Sequence, residues 1–288
     1  RMYRALSPGA VGIPANTIED GIRYAKAGGF QGLDLPLGDA RSIVEADGAD
    51  AVKQMYSEAG LRIGAWGLPT RWNADDAEFY ESLSKLPADA ALAAEIGSFR
   101  TMTWVVGWSS EKTRQEQFDF LVHRFGLIAE ILLDHGCSIG LEFIGPHTSR
   151  KSARYGCAYT MEGMLAVACA IGTGNVGLLL DCWHWYTCQS TLTDIRQLVA
   201  EEVVYVHVND APTGIDVLEQ IDSTRCLPGE TGVIDLVGFL QALKEIGYDG
   251  PVTPEPFSKT LNAIEDKEVA ARTVGDSLKA VWDEAGLD

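Results

Sequence analysis

The stretch VGLLLDCWHWYTC, residues 176–188, carries an apolar run straight into Asp181, with His184 three positions later among Trp183, Trp185 and Tyr186. A short apolar run bounded by glycine reads as a buried strand. A buried strand that ends on a carboxylate needs a reason, because an unpaired buried charge is costly. The same pattern recurs at GLEFIG (residues 140–145), VHVND (206–210) and TPEPF (253–257), where apolar runs meet Glu142, His207 and Glu255.

Working outward from these four segments, strand-like runs alternate with helical ones along the whole chain. RALSPGAVGI, FQGLDLPL, LRIGAWGL, FRTMTWVVGW, CSIGLEFIG, VGLLLDCWHW, VVYVHVND and GPVTPEPF read as eight strands. The helices between them begin on capping residues such as Asn16 or Thr17, and several end in glycine, as in AGGFQGLDL, AGLRIGAW and HGCSIGLEF. Glycine at a helix end followed at once by a β-rich run is the chemistry of an αβ loop. Alternation implies parallel strands, and eight units imply a (β/α)8 TIM barrel, read here as one domain over residues 1–288. A doubly wound sheet is the rival, but no glycine-rich phosphate motif follows the first strand.

In such a barrel the catalytic mouth lies at the C-terminal ends of the strands. Glu142, Asp181, His207 and Glu255 fall there on strands five to eight. Three carboxylates in a partly dry site repel one another, and a divalent cation removes that cost. Three carboxylates and an imidazole are a hard, mostly oxygen donor set, suited to Mn²⁺ foremost, with Mg²⁺, Co²⁺ or Zn²⁺ as alternatives. Any one of these residues alone reads equally as a helix cap, an ion-pair partner or a core histidine; the four on consecutive strands change the balance. Asn209 and Asp210 are alternative ligands on strand seven, but they read more readily as the start of a loop. His184, just beyond Asp181, reads as a substrate contact. Trp66, Trp108, Trp183 and Trp185 read as packing or as a sugar-stacking wall, with Trp66, Trp108 and Trp183 carried as substrate-contact candidates. His147 is a candidate for the mouth, and PGETG (228–232) reads as a plain loop rather than a phosphate site.

Composition excludes several classes. The net charge is −18 over 288 residues, so nucleic acid and anionic membranes are not expected partners. No apolar run reaches membrane-spanning length. The opening RMYRALSPGA lacks the long apolar core of a secretory signal. Six cysteines without CxxC or zinc-finger spacing read as reduced thiols of a cytoplasmic protein.

GLEFIG, LLLDCWHW, VHVND, RCLPGETGVID and PVTPEPF together resemble the xylose-isomerase-like sugar isomerase/epimerase superfamily, whose members include ketose 3-epimerases, hydroxypyruvate isomerases and inosose dehydratases. The likeness spans most of the chain and is most specific over residues 138–257. It implies a metal set of Glu142, Asp181, His207 and Glu255, with substrate contacts from His184 and from Arg225, ahead of the PGETG loop. It also implies a sugar or keto-sugar substrate, with a homo-oligomer allowed. Two departures stand out. APTGIDVLEQIDST (211–224) lengthens the strand-seven loop, and IGPHTSRK (144–151) lacks the second Glu that ketose epimerases place there. The long loop, Ala211 to Glu230, with Ile215, Val217, Leu218 and Ile221, is expected to act as a lid or a subunit contact that sets specificity. The implied chemistry is proton transfer through an enediolate by Glu142 and Glu255, with β-elimination as the alternative outcome. An abasic-site endonuclease of the same barrel type would need more histidine ligands and a basic face.

Overall fold

The computed structural model describes residues 1–287. Eight strands, one of them in two pieces, run β1 (Tyr3–Leu6), β2 (Gly32–Leu33), β3 (Arg62–Ile63 and Trp66–Gly67), β4 (Arg100–Val105), β5 (Ser138–Phe143), β6 (Val176–Asp181), β7 (Val203–Val208) and β8 (Pro251–Pro254). Every pairing among them is parallel. β1 pairs with both β2 and β8, while β2 pairs with the first piece of β3 and β4 with the second. The two ends of the sheet are therefore halves of one strand, and the sheet closes into a barrel. Helices follow the strands and cover them outside. No helix among the described residues is long and apolar enough to cross a membrane.

The break in β3 has a local cause. Gly64 approaches Asp34 so closely that a Cβ there would lie 2.3 Å from Asp34 Oδ1. The Ala65 N–H donates to that same oxygen at 2.9 Å. A side chain from β2's loop thus takes the hydrogen bond that a regular ladder would have made. The other Asp34 oxygen accepts the Tyr205 hydroxyl at 2.5 Å, and that hydroxyl lies 2.8 Å from Thr253 Oγ1. The Tyr205 ring stands edge-on to His207, with centroids 5.2 Å apart. The barrel interior therefore carries a polar layer directly beneath the candidate site.

Strand parity aims the site residues. Leu179 pairs in register with Tyr205, Asp181 with His207, and His207 with Thr253. Glu142 pairs with Trp104 on one side and Leu179 on the other. Partners in a parallel ladder share a face, and alternate residues of a strand do too. Trp104, Glu142, Asp181, His207 and Glu255 thus all belong to the inward-facing set at the strands' C-terminal ends.

Four segments differ from the sequence reading. The first, RALSPGAVGI, is strand only as far as Leu6, and Pro8–Val11 is a 3-10 helix. β6 stops at Asp181, and Cys182–Thr187 is a short helix whose N-cap is Asp181, its carboxylate accepting the Trp183 N–H at 2.9 Å. Aromatic residues had disguised that helix as more strand. β4 stops at Val105, and Trp108–Ser109 pairs antiparallel with Tyr155–Gly156 beside the barrel. An extra helix, Leu37–Asp47, precedes Ala49–Ala59, with Gly48 at φ +85° between them. Elsewhere the caps lie where the residue types place them. Thr17, Asp75 and Thr113 accept N–H groups of their first turns, and Thr113 completes a capping box with Glu116.

Two predictions follow from this packing. The last helix, Lys267–Glu284, crosses the first, Ile18–Ala27, at Gly275, where a Cβ would sit 1.9 Å from the Gly28 carbonyl oxygen. Gly275→Ala is expected to cost about 1–3 kcal/mol in urea unfolding by overpacking this seam; an unchanged midpoint would show that the helices part freely. Burial pushes the Asp34 carboxyl up to about 6, against its bonds from Tyr205 and Ala65. A carboxyl whose folded pKa is raised stabilises the fold below its ordinary pKa of about 4, and that contribution is lost as pH rises through about 6. The native chain should therefore weaken relative to Asp34→Asn across that window, and parallel stability curves would contradict this.

Candidate metal centre and active site

Glu142, Asp181, His207 and Glu255 each offer a donor atom, and the four atoms lie within 4.8 Å of one another. His207 Nδ1 is 3.2 Å from Glu142 Oε1, 3.3 Å from Glu255 Oε2 and 4.0 Å from Asp181 Oδ2. Two donors each about 2.1 Å from one ion, at tetrahedral to octahedral angles, stand about 3.0–3.4 Å apart. Two of the three His207 distances fall in that range and the third, to Asp181, is wider at 4.0 Å, so the donors surround one point that a single divalent cation could occupy; three carboxylates against one imidazole and one guanidinium leave a negative balance for it.

Each donor is held from behind. Asp181 is fully buried, and its Oδ1 accepts the Trp183 N–H and, at 3.0 Å, the Asn209 amide. That leaves Oδ2 for the cavity. Asn209, also fully buried, donates to the Glu255 carbonyl at 3.2 Å as well, so one amide ties the ends of β6, β7 and β8 together. Asp210 braces the next turn: its carboxylate accepts the N–H groups of Ala211, Thr231, Gly232 and Ile234. The donors of the PGETG loop are thereby used internally, in keeping with a plain loop.

Arg225 reaches in from the long loop after β7. Its Nη1 lies 2.7 Å from Asp181 Oδ2 and 3.3 Å from Glu255 Oε2, and its Nη2 donates to Asp222 at 2.9 Å. Its guanidinium lies over the Trp183 and Phe257 rings, 5.2 Å and 4.5 Å from their centroids. The fields diverge accordingly. Burial works to raise the Asp181 carboxyl, but Arg225, His184 and His207 outweigh it and bring it to about 2. Burial lifts the Glu142 carboxyl above the ordinary carboxylate range, with His207 opposing. Burial also works against ionised Glu255, yet His207 and Arg225 hold it below that range. For His207 burial disfavours the charged ring, and Glu255 and Glu142 drive its pKa well upward.

His184 stands apart from the donor set. Its Nδ1 accepts the Gly145 N–H at 3.1 Å, which assigns the ring proton to Nε2. That Nε2 faces Asp222 Oδ1 at 3.8 Å, Asp181 Oδ2 at 3.9 Å and Glu142 Oε2 at 4.0 Å. It is a donor aimed at the space over the carboxylates.

A cavity of about 370 Å³ opens above the cluster, with Trp104, Trp108, Ile144 and Phe257 as its apolar wall and Asp222 and Arg225 at its polar side. Of the tryptophans carried from the sequence, Trp108 lies on this wall. The other two are corrected. Trp66 is 1% exposed and donates to the Ser98 carbonyl, and Trp183 is fully buried beneath Arg225, so neither offers a face to a ligand. Trp185 is core, donating to the Thr191 carbonyl. Neither His147 nor Arg150 lines the cavity; Ser149, from the same turn, does.

Sequence reasoning missed Trp104, Asp222, Phe257 and Asn209. Trp104 was visible as the residue one step short of β4's end on the inward parity. Asp222 carried no signal beyond its place in a long loop. That loop is tied down by the buried Gln220, whose amide donates to the Pro212 carbonyl at 3.3 Å and whose carbonyl accepts Thr148 Oγ1 at 2.7 Å.

Comparison with known proteins agrees with this architecture. An inosose isomerase of Halalkalibacterium halodurans is 31% identical over 157 residues, 54% of this chain and 51% of that protein. The chain thus spans about half the length of the inosose isomerases it matches. A ketose 3-epimerase of Arthrobacter globiformis is 28% identical over 255 residues, 85% of this chain and 80% of that one. The structure of a xylose isomerase domain protein from Alicyclobacillus acidocaldarius superposes with a TM-score of 0.85 at 31% identity, covering 99% of this chain and 100% of that one. The family model described as a xylose isomerase-like TIM barrel matches residues 22–280, and the chain belongs to that family.

Proposed function

We propose that this protein is a divalent-metal-dependent isomerase or epimerase of a sugar or keto-sugar, acting through an enediolate. The observation that carries the reading is the convergence of Glu142, Asp181, His207 and Glu255 on one point beneath a cavity of sugar size. The names of the relatives, an inosose isomerase and a ketose 3-epimerase, support the same class. Glu142, Asp181, His207 and Glu255 would hold the ion, with Mn²⁺ the first choice. When bound, a divalent cation supplies electrophilic stabilisation of the charge that builds on a carbonyl and its neighbouring hydroxyl oxygen.

The chain's own residues do the rest. Glu142 and Glu255 flank His207 Nδ1, so each keeps a second oxygen for the substrate C–H. One removes the proton from the carbon beside the carbonyl, and the other, or the same one, returns it. Return to the opposite face is epimerisation; return to the adjacent carbon is isomerisation. His184 Nε2–H and the Arg225 guanidinium donate to substrate oxygens. Apolar walls from Trp104, Trp108 and Phe257 exclude water from the enediolate. A lyase is the second reading, favoured by one feature: His184 Nε2–H faces the carboxylates, where it can hydrogen-bond a departing hydroxyl or alkoxide oxygen. The substrate is a small molecule; a chain of net charge −18 gives no support to nucleic acid as a partner.

Calorimetric titration with Mn²⁺ should show one site, abolished in Asp181→Ala and retained in His184→Ala. Loss of the metal in His184→Ala would move that ring into the ligand set. In D₂O, the Mn²⁺-loaded protein should exchange a carbon-bound proton of a ketohexose or an inosose. Glu142→Gln and Glu255→Gln should each lower that turnover by on the order of 10²–10⁴. Near-native turnover in either metal-loaded variant would reduce that residue to a ligand alone.

A further inference from the structure

The cavity above the carboxylates is open on the side of β4. Trp104 forms part of its wall and also part of the wall of a neighbouring groove of about 390 Å³, formed by residues 68–74 and Thr103. Each compartment has the size of a small-molecule site, about 300–1,000 Å³. We infer that this groove is a second carbohydrate subsite, so that the natural substrate carries a glycosyl unit joined to the ring that reacts. The inference rests on the keto-sugar reading above.

Three observations carry it. Trp104 is 55% exposed although it sits on the inward face of the barrel, and it is the one large apolar side chain shared by both compartments. Its indole packs edge-on against a buried neighbour. The buried Trp72 stands against it at 76°, with centroids 6.2 Å apart, and Trp72 in turn lies 5.1 Å from Phe125. An exposed aromatic face flanked by polar side chains is the surface that receives the C–H face of a sugar ring.

The far wall is also built. Arg124, 4% exposed, spends its guanidinium on the loop that forms the groove. It donates to the carbonyls of Trp72 and Ala74 at 3.2 and 3.1 Å and to Asp76 at 2.7 Å, and it lies over the Phe79 ring at 4.0 Å. Such an investment in a surface loop pre-forms its shape, which lowers the entropy lost on binding.

The groove's chemistry selects a sugar over an aryl group. Thr70, Arg71, Asn73 and Thr103 line it; the Thr70 hydroxyl is buried and the Arg71 guanidinium is paired with Glu78 at 2.7 Å, so the Asn73 amide and the Thr103 hydroxyl are the groups offered beside the indole. A planar apolar substituent would leave these groups desolvated and unpaired, whereas ring hydroxyls would satisfy them.

The test is calorimetry on the Mn²⁺-loaded full chain, comparing D-fructose with its glycosyl derivatives turanose, lactulose and isomaltulose. At least one disaccharide is expected to bind about tenfold tighter than D-fructose, the worth of roughly one to two good contacts. Trp104→Ala, and separately Asn73→Ala, should bring that ratio toward one. A ratio of one for all three disaccharides, with D-fructose bound, overturns the subsite and leaves the keto-sugar reading standing. So does a ratio that neither variant alters. Binding of 1-O-benzyl-D-fructose as tight as that of the best disaccharide overturns the carbohydrate assignment. If none of D-fructose, D-psicose and D-tagatose binds, the keto-sugar reading falls and the subsite with it.

Discussion

Three carboxylates buried at one end of a barrel cannot stand alone, and the rest of this site answers that constraint. Ionised together in a poorly hydrated mouth they repel one another, and each has lost the water that would have solvated it. Part of the compensation is on the chain: Arg225 lies against Asp181 and Glu255, and His207 lies between Glu142 and Glu255. Asp222 returns a negative charge to the same guanidinium. The balance remains negative, and the four inward donor atoms surround one point. The divalent cation proposed for this site would turn a costly cluster into a stable one.

The scaffold beneath serves that arrangement. A closed parallel sheet gives each strand one inward residue at the mouth, so the donors need no long side chains or loops to meet. Asn209 fixes the ends of β6, β7 and β8 relative to one another, and Asp210 ties the turn that follows. Below them, Asp34, Tyr205 and Thr253 form a hydrogen-bonded floor on which the His207 ring rests. None of these groups is aimed at the cavity, yet each restricts where a donor can go. Such support is what keeps a site at productive geometry.

How much of this could be read from residues alone depends on the range of the interaction. Asp181, Glu142, His207 and Glu255 were legible because the apolar run before each one gives both the strand and its end. The helix start at Thr17 was legible because a cap bonds its own first turn. The split in β3 was not, since it comes from Asp34, some thirty residues away, taking the Ala65 N–H. Trp66 and Trp104 look alike in sequence; one lies inside the fold and the other at the rim, which only the barrel's three-dimensional closure decides. The helix Cys182–Thr187 hid behind aromatic residues because side chains that suit a strand here pack against neighbours as a helix. Asp222 lies on a loop whose path is set by Gln220 and Thr148, and no local pattern marks it.

The central claim is that one divalent cation completes the cluster of Glu142, Asp181, His207 and Glu255. Anomalous diffraction at the manganese edge, from crystals grown with Mn²⁺, tests it most directly. The account requires a single strong anomalous peak about 2.0–2.4 Å from a donor atom of each of the four residues, with His184 outside that shell. A map with no peak at that point, or with manganese bound elsewhere while Arg225 alone neutralises the carboxylates, would contradict it.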